Sequence, residues 1–321
     1  MIAVPGDIFL TASRGQEDWN YVSGRASALE RAFLPEEFFP ELVRTRSAEE
    51  AFALLAESAP AVFPHLKSIY DYDRILRRRL EDSIRSVAVD CPPDGPAVIF
   101  RTEIELGEVH EYLTGKEVPR KTSEEMTRAA RRLAGAYSWI DPLDLSGERA
   151  EIFGSHPVRA VSLWVDSSFV RSLLRLAARR AELGPYPRAL AALQAVKTCV
   201  RAVRSSLAAS TLTAFFFRPE VLRAGLRAPA DPAAPLSLLL REYEIEGLGV
   251  TEENFSESYA RAADDYLTAL AARGRFEAFG PLKILYFLRR LWVETIDLRI
   301  ALSAVLAPID REVAGSRLRR L

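Results

Sequence analysis

The stretch from Leu282 to Leu306, LKILYFLRRLWVETIDLRIALSAVL, constrains the fold more than any other. At about 100° per residue its apolar side chains point to nearly every side of a helix, so other elements must surround that helix. It nevertheless carries Lys283, Arg290, Glu294 and Asp297 on one narrow stripe, with Arg299 directed roughly opposite. An unpartnered buried charge costs several kcal/mol, so these groups either pair with one another or meet a wet surface. Two readings stay open: an ion-pair stripe on a solvated face, and a functional polar lining.

The rest of the chain also reads as helix. SAEEAFALLAES opens with Ser47 and Glu50 in capping-box positions, and Thr122 and Glu125 repeat the device. In LPEE, Pro35 occupies an expected first helical position with two carboxylates behind it, as a helix dipole favours. Only SVAVD and AVIF, either side of the breaker CPPDGP, read as strands, and they would make at most one weak hairpin. The expected class is therefore all-α. Loops are expected at WIDPLDLSGE, at LGPYPR, and at LRAPADPAAPL, the clearest linker.

With 321 residues the chain exceeds one ordinary core, and two or three domains of roughly 100 residues are expected. Its 49% hydrophobic and 27% charged content excludes global disorder. A net charge of −1 removes the positive field that sequence-independent nucleic-acid binding requires, so no nucleic-acid partner is expected. Cys91 and Cys199 cannot make a disulfide framework and lack zinc-ligand spacing, which fits a reducing cytoplasm. The N-terminus has no basic segment ahead of its apolar residues, and Asp7 lies inside them, so a secretory signal is not expected. The longest uncharged run, Ser205 to Phe217, is too short to cross about 30 Å of hydrocarbon as a helix.

Familiar catalytic patterns are missing. His65, His110 and His156 form no HExxH or ExxH pair for a metal. LTGKE lacks the upstream glycine and following Ser or Thr of a P-loop, and there is no GxGxxG or GxSxG. No cofactor and no metal are expected. ADDYL places Asp264 beside Asp265, as in the magnesium motif of all-α isoprenoid synthases, but position 268 is Thr rather than a third carboxylate. A solvated helix face is the expected setting of that pair, and likewise of RRRLED at Arg77 to Asp82.

A repeat bears on the charged stripe. ELGEVH, CVRAVR and ETIDLR end at His110, Arg204 and Arg299, at nearly equal intervals and each in helical context. The intervals suggest a threefold repeat whose equivalent positions are Glu105, Glu108 and His110, then Arg204, then Glu294, Asp297 and Arg299.

The C-terminal third, RAADDYLTALAARGRFEAFGPLKILYFLRRLWVETIDLRIALSAVL followed by IDREVAGSRL, resembles the end of the C subunit of V-type (A-type) ATPases, equivalent to the eukaryotic d subunit. Asp264, Asp265, Phe279-Gly280-Pro281, Glu294, Leu298 and Arg299 match that family's pattern, while Asp297 replaces its Asn. Trp19 to Ser58 is similar to the family's opening, and His156 to Ala177 to the start of a repeat. The first repeat departs at Glu108 and His110, and the second has Cys199 and Ala202 in place of acids.

The resemblance implies three similar helical bundles arranged as a funnel with pseudo-threefold symmetry. These would be 1–120 (the N-terminal helices plus the repeat helix near 104–114), 121–235, and 236–321 with the C-terminal helix. It implies a non-catalytic central-stalk component, peripheral on the cytoplasmic face of the membrane, that links a D–F shaft to the proteolipid rotor ring without itself inserting in the bilayer. ATP hydrolysis or synthesis would so be coupled to proton or sodium transport. Glu105, Glu108, His110, Arg204, Glu294, Asp297 and Arg299 would line the cavity or brace the helices that do, and Arg299 would alternatively pair with a neighbouring bundle. An all-α magnesium-dependent isoprenoid synthase, or a helical scaffold with another partner, is the alternative.

Overall fold

The computed structural model describes residues 19–58, 71–92, 94–114, 122–307 and 309–319. Asp7, His65 and Lys116, weighed above for a leader, a metal and a P-loop, lie outside the described residues. Among the described residues every regular element is helical, so the all-α class holds. SVAVD and AVIF are not strands: they form the last turns of α4 (Tyr72–Asp90) and the first turn of α5 (Ala97–Thr114). Val87 continues the buried row Leu76, Leu80 and Ile84 along α4. Tertiary packing of that row overrides the strand preference of Val87.

Three long helical hairpins dominate. The first is α4 with α5. The second pairs α8 (Pro157–Arg179) with α9 (Tyr186–Arg204), and the third α13 (Phe255–Ala271) with α14 (Pro281–Leu306). Each hairpin turns at a Gly-Pro dipeptide: Gly95-Pro96, Gly184-Pro185 and Gly280-Pro281. Proline presets the first helical turn, and glycine supplies what precedes it. Gly184 and Gly280 have φ of 61° and 109°, in the region other residues avoid. At Gly95 a Cβ would lie 3.0 Å from the Pro92 carbonyl oxygen.

Polar contacts fix the antiparallel sense of each pair. Arg77 Nη2 donates to Glu108 at 2.7 Å across the first hairpin and Arg289 Nη2 to Asp264 at 2.6 Å across the third. Thr198 Oγ1 donates to Asp166 at 3.5 Å across the second. Arg77 precedes Gly95 by as many residues as Asp166 precedes Gly184, so the first two hairpins are tied at the same depth.

Shorter helices pack around these pairs: α1 (Trp19–Glu30), α2 (Phe38–Arg44), α3 (Ala48–Ser58), α6 (Ser123–Ala136), α7 (Glu148–Ser155), α10 (Ala209–Phe215), α11 (Pro219–Arg223), α12 (Leu236–Glu242) and α15 (Arg311–Ser316). The Thr122–Glu125 capping box is complete at α6. At α3 the Glu50 amide donates to Ser47 Oγ, but the Glu50 carboxylate turns back to the Arg46 amide instead of Ser47. Pro35 is not the first residue of α2. It lies ahead of the helix and accepts the Phe38 amide.

Among the described residues the buried apolar side chains form two clusters. The larger draws on all three hairpins, and the ends of the proline-rich 226–236 segment, Leu226 and Leu236, are both in it. The smaller combines α2, α3 and the start of α4 with the last turns of α14 and with α15. Helix α14 passes through both, contributing Ile284 to Leu291 to the first and Leu298 to Ala304 to the second. Between these blocks lie Glu294, Thr295 and Asp297, all buried. The apolar surround expected for this helix is present, with its charges at the boundary of the two cores.

Candidate functional site: the charged seam of the C-terminal helix

The stripe on α14 receives the chain that leaves α1. Lys283 Nζ donates to Glu30 at 2.7 Å, the Arg290 guanidinium lies 4.8 Å from the centre of the Phe33 ring, and the Leu34 amide donates to Glu294 Oε2 at 2.8 Å. Arg79 of α4 closes the ring with an ion pair to Glu294 Oε1 at 2.6 Å. Glu294 therefore binds three elements at once: its own helix, the α1–α2 connection and the first hairpin. The bond from the Leu34 amide is charge-assisted, a kind about twice as strong as a neutral one, and here the carboxylate is shut off from water.

Asp297 performs the same task for the C-terminal tail, accepting the Arg319 amide at 3.1 and 3.3 Å. Burial raises its pKa to about 7, against the lowering effect of the Arg319 amide and guanidinium, and Asp264 and Asp265 push the same way as burial. Arg299, on the other side of α14, pairs with Asp73 at the start of α4 at 2.7 Å. Arg299 is thus tied to α4 and not to another residue of its own helix. None of the three acts within an intrahelical ion-pair stripe.

On α5 the expected site residues are half-buried. Glu105 Oε2 accepts the Trp139 indole N–H at 2.7 Å, and burial raises its pKa. Glu108 pairs with Arg77 and accepts the Tyr137 hydroxyl at 3.4 Å. His110 Nε2 meets the buried Asp166 of α8 at 2.8 Å. Arg204 lies apart at the end of α9, over the Phe255 ring at 5.2 Å and donating to Ser256 Oγ and the Glu252 carbonyl. The seven residues thus do not form one cluster. They tie successive helices together.

Several members of the network escaped the sequence reading. Asp264 is not on a solvated face: it is held by Arg289 at 2.6 Å and by Arg319 at 3.1 Å. Arg289 also donates to Thr268 Oγ1 at 3.1 Å and to the Asp264 carbonyl at 2.9 Å. Burial lowers the pKa of Arg289, but the neighbouring Tyr186, Asp264 and Glu103 outweigh it and hold the group above its ordinary value. Burial pushes the carboxyl of Glu103 up to about 7, with Arg289 and Lys197 opposing and Asp264 adding. Glu103 on α5, Tyr186 on α9, Asp264 on α13 and Arg289 on α14 thus bring all three hairpins to one polar junction. Arg79, read as part of an exposed basic cluster, was detectable in principle because it lies three residues past buried Leu76 and beside buried Leu80.

A further junction fixes the 137–147 loop. Asp141 pairs with Arg218 at 2.7 Å, with Arg171, and with Arg175 at 3.5 Å. Burial lowers Arg171 and Arg218 to about 10.

Among the described residues, two surface clefts stand out. One, of about 740 Å³, lies between α13, α15 and the 248–250 segment and includes Arg261, Asp265 and Arg317. The other, of about 500 Å³, lies beside Gly184 and includes Arg188, Tyr243 and Tyr266. None of the seven expected residues lines either cleft. Among the described residues no group of three or more His, Cys, Asp or Glu side chains is arranged to hold a metal ion. Among them also, no helix is long and apolar enough to cross a membrane. No protein-family model matches the sequence, and no curated protein matches it.

Proposed function

We propose that this chain is a non-catalytic coupling component: a socket of three helical modules, arranged as a funnel, that links the D–F shaft of a rotary V/A-type ATPase to the membrane rotor ring. It makes and breaks no bonds. It sits at the cytoplasmic face of the membrane and passes torque between ATP turnover and proton or sodium transport. The observation that carries this reading is the set of three hairpins, each bent at Gly-Pro, with ELGEVH, CVRAVR and ETIDLR on the second helix every time. A part that transmits torque has to resist shear between its modules, and the buried Glu294 joins the third hairpin to Arg79 of the first and to the Leu34 amide. The half-buried Glu105, Glu108 and His110 are the groups left to face a polar shaft.

The isoprenoid-synthase alternative finds less support. Asp264 is engaged by two arginines, whereas a magnesium site needs carboxylates facing each other across a deep apolar pocket. Affinity purification of the tagged chain from its native membranes tests the proposal. Recovery of the shaft proteins and the ring proteolipid is expected. Their absence, together with magnesium-dependent turnover of an isoprenoid diphosphate, would overturn it.

A further inference from the structure

The three Gly-Pro elbows lie at one end of the molecule. Gly95 abuts the Trp19 ring, and the Gly280 amide donates to Ser23 Oγ at 3.1 Å, so the first and third elbows rest on neighbouring turns of α1. Arg179, where the second hairpin turns, pairs with Asp94 of the first elbow at 3.7 Å. Arg25 of α1 pairs with Asp90, just ahead of the first elbow, at 2.6 Å.

The same end holds the most exposed large apolar side chains among the described residues. Phe276 is 88% exposed, Val89 69%, Tyr21 66% and Phe279 58%. Phe276 and Phe279 belong to the third elbow, Val89 leads into the first, and Tyr21 lies on α1 between Trp19 and Ser23. The third elbow is closely packed: Gly274 lies so near the Leu282 carbonyl that a Cβ there would stand 1.9 Å from it. Ordered backbone that holds two phenylalanines in water gives up the burial that each would otherwise gain.

The charge at this end is positive although the chain as a whole is at −1. Arg188, Arg273 and Arg275 are exposed here, and Arg275 lies over the Phe276 ring. Among the described residues at this end, Asp90, Asp94 and Glu182 are each in an ion pair, and Glu277, with Glu244 beside Gly184 and Arg188, stands against the three arginines. Neither cleft lies among the four apolar side chains. A protein partner would have to supply the pockets for them, whereas a lipid interface accepts protruding aromatics flanked by arginines without shape matching.

We propose that the elbow end is a lipid-contacting face, which binds an anionic bilayer surface through Arg188, Arg273 and Arg275 and inserts Phe276 and Phe279 at headgroup depth. This face is separate from the shaft-facing residues, so neither proposal depends on the other.

Co-sedimentation of the full chain with vesicles tests the proposal, using phosphatidylcholine alone and phosphatidylcholine mixed with phosphatidylglycerol. Binding to the anionic vesicles is expected, with little to the neutral ones. F276S/F279S should lower the partition coefficient about tenfold or more. R273Q/R275Q should lower it and flatten its salt dependence. Val203→Ser, an exposed apolar position at the far end of α9, should bind like the parent chain, and all variants should keep the parent melting temperature. Equal binding by F276S/F279S, or no binding to anionic vesicles, would overturn the proposal. So would lipid-free self-association abolished by F276S/F279S, which would assign the patch to a second copy of the chain.

Discussion

On α14 Glu294 has no exposed surface and holds Arg79 and the Leu34 amide, whereas on α5 Glu108 stays half-buried and shares Arg77 with Glu81 of the same helix as Arg77. Both acids stand on the second helix of a Gly-Pro hairpin, and both face α4. The same residue type serves as an internal tie in one place and as an adjustable surface group in the other. What separates them is water. A carboxylate cut off from solvent depends on its partners, and one at the surface can exchange them.

The widest expected gap is in stability. Glu294→Ala strands the largely enclosed Arg79 guanidinium and the buried Leu34 amide and should cost roughly 3–5 kcal/mol in urea unfolding. If that variant were no less stable than Glu108→Gln, the contrast between the two helices would disappear.

The polar junction where the hairpins meet sharpens the comparison through pH. The Glu103 carboxyl is held at about 7 against an ordinary value of 4.5, so the folded chain keeps a proton that the unfolded chain releases. Its contribution is complete below pH 4.5 and is lost as pH rises through 7, on the order of 3 kcal/mol for this group. Asp297 adds a loss of the same sign over a similar window. Glu103→Gln should match the parent near pH 4.5 and exceed it in stability at pH 8. A parallel pH profile in the two proteins would show that Glu103 is not the group responsible.

Elbow geometry makes a smaller difference. Gly184→Ala forces a side chain into a left-handed turn with φ of 61° and should cost about 1–2 kcal/mol. Its melting temperature should fall while its helical ellipticity stays. Smallest of all, Glu108→Gln removes a solvent-screened pair and should change stability by about 1 kcal/mol or less. Its expected effect is on shaft affinity, measured by calorimetry with purified D–F, and a large drop in stability would place Glu108 among the internal ties.

The central position of α14 was legible because a helix apolar on almost every side has no other place to go. The α6 cap was legible too, since it depends on neighbours in sequence. Partner choice was not. Arg79, Arg289 and Arg319 meet their carboxylates only after packing brings distant segments together, and ADDYL carries no local mark of the two arginines that enclose Asp264. SVAVD read as a strand because its valines favour one in isolation, and the burial of Val87 within the first hairpin decided otherwise. The three Gly-Pro breakers were visible singly. That they shape equivalent turns became apparent only when the helices on either side were seen to pair.

The most direct test of the socket is the affinity of the purified chain for D–F from low to molar salt, with far-ultraviolet ellipticity followed in parallel. The half-buried, solvent-reached charges on α5 are screened as the Debye length shrinks to about 3 Å at 1 M, while the enclosed ties of α14 are not. Affinity should therefore fall by about tenfold or more with ellipticity unchanged. Constant affinity across that range, or loss of helix in step with binding, would contradict the account.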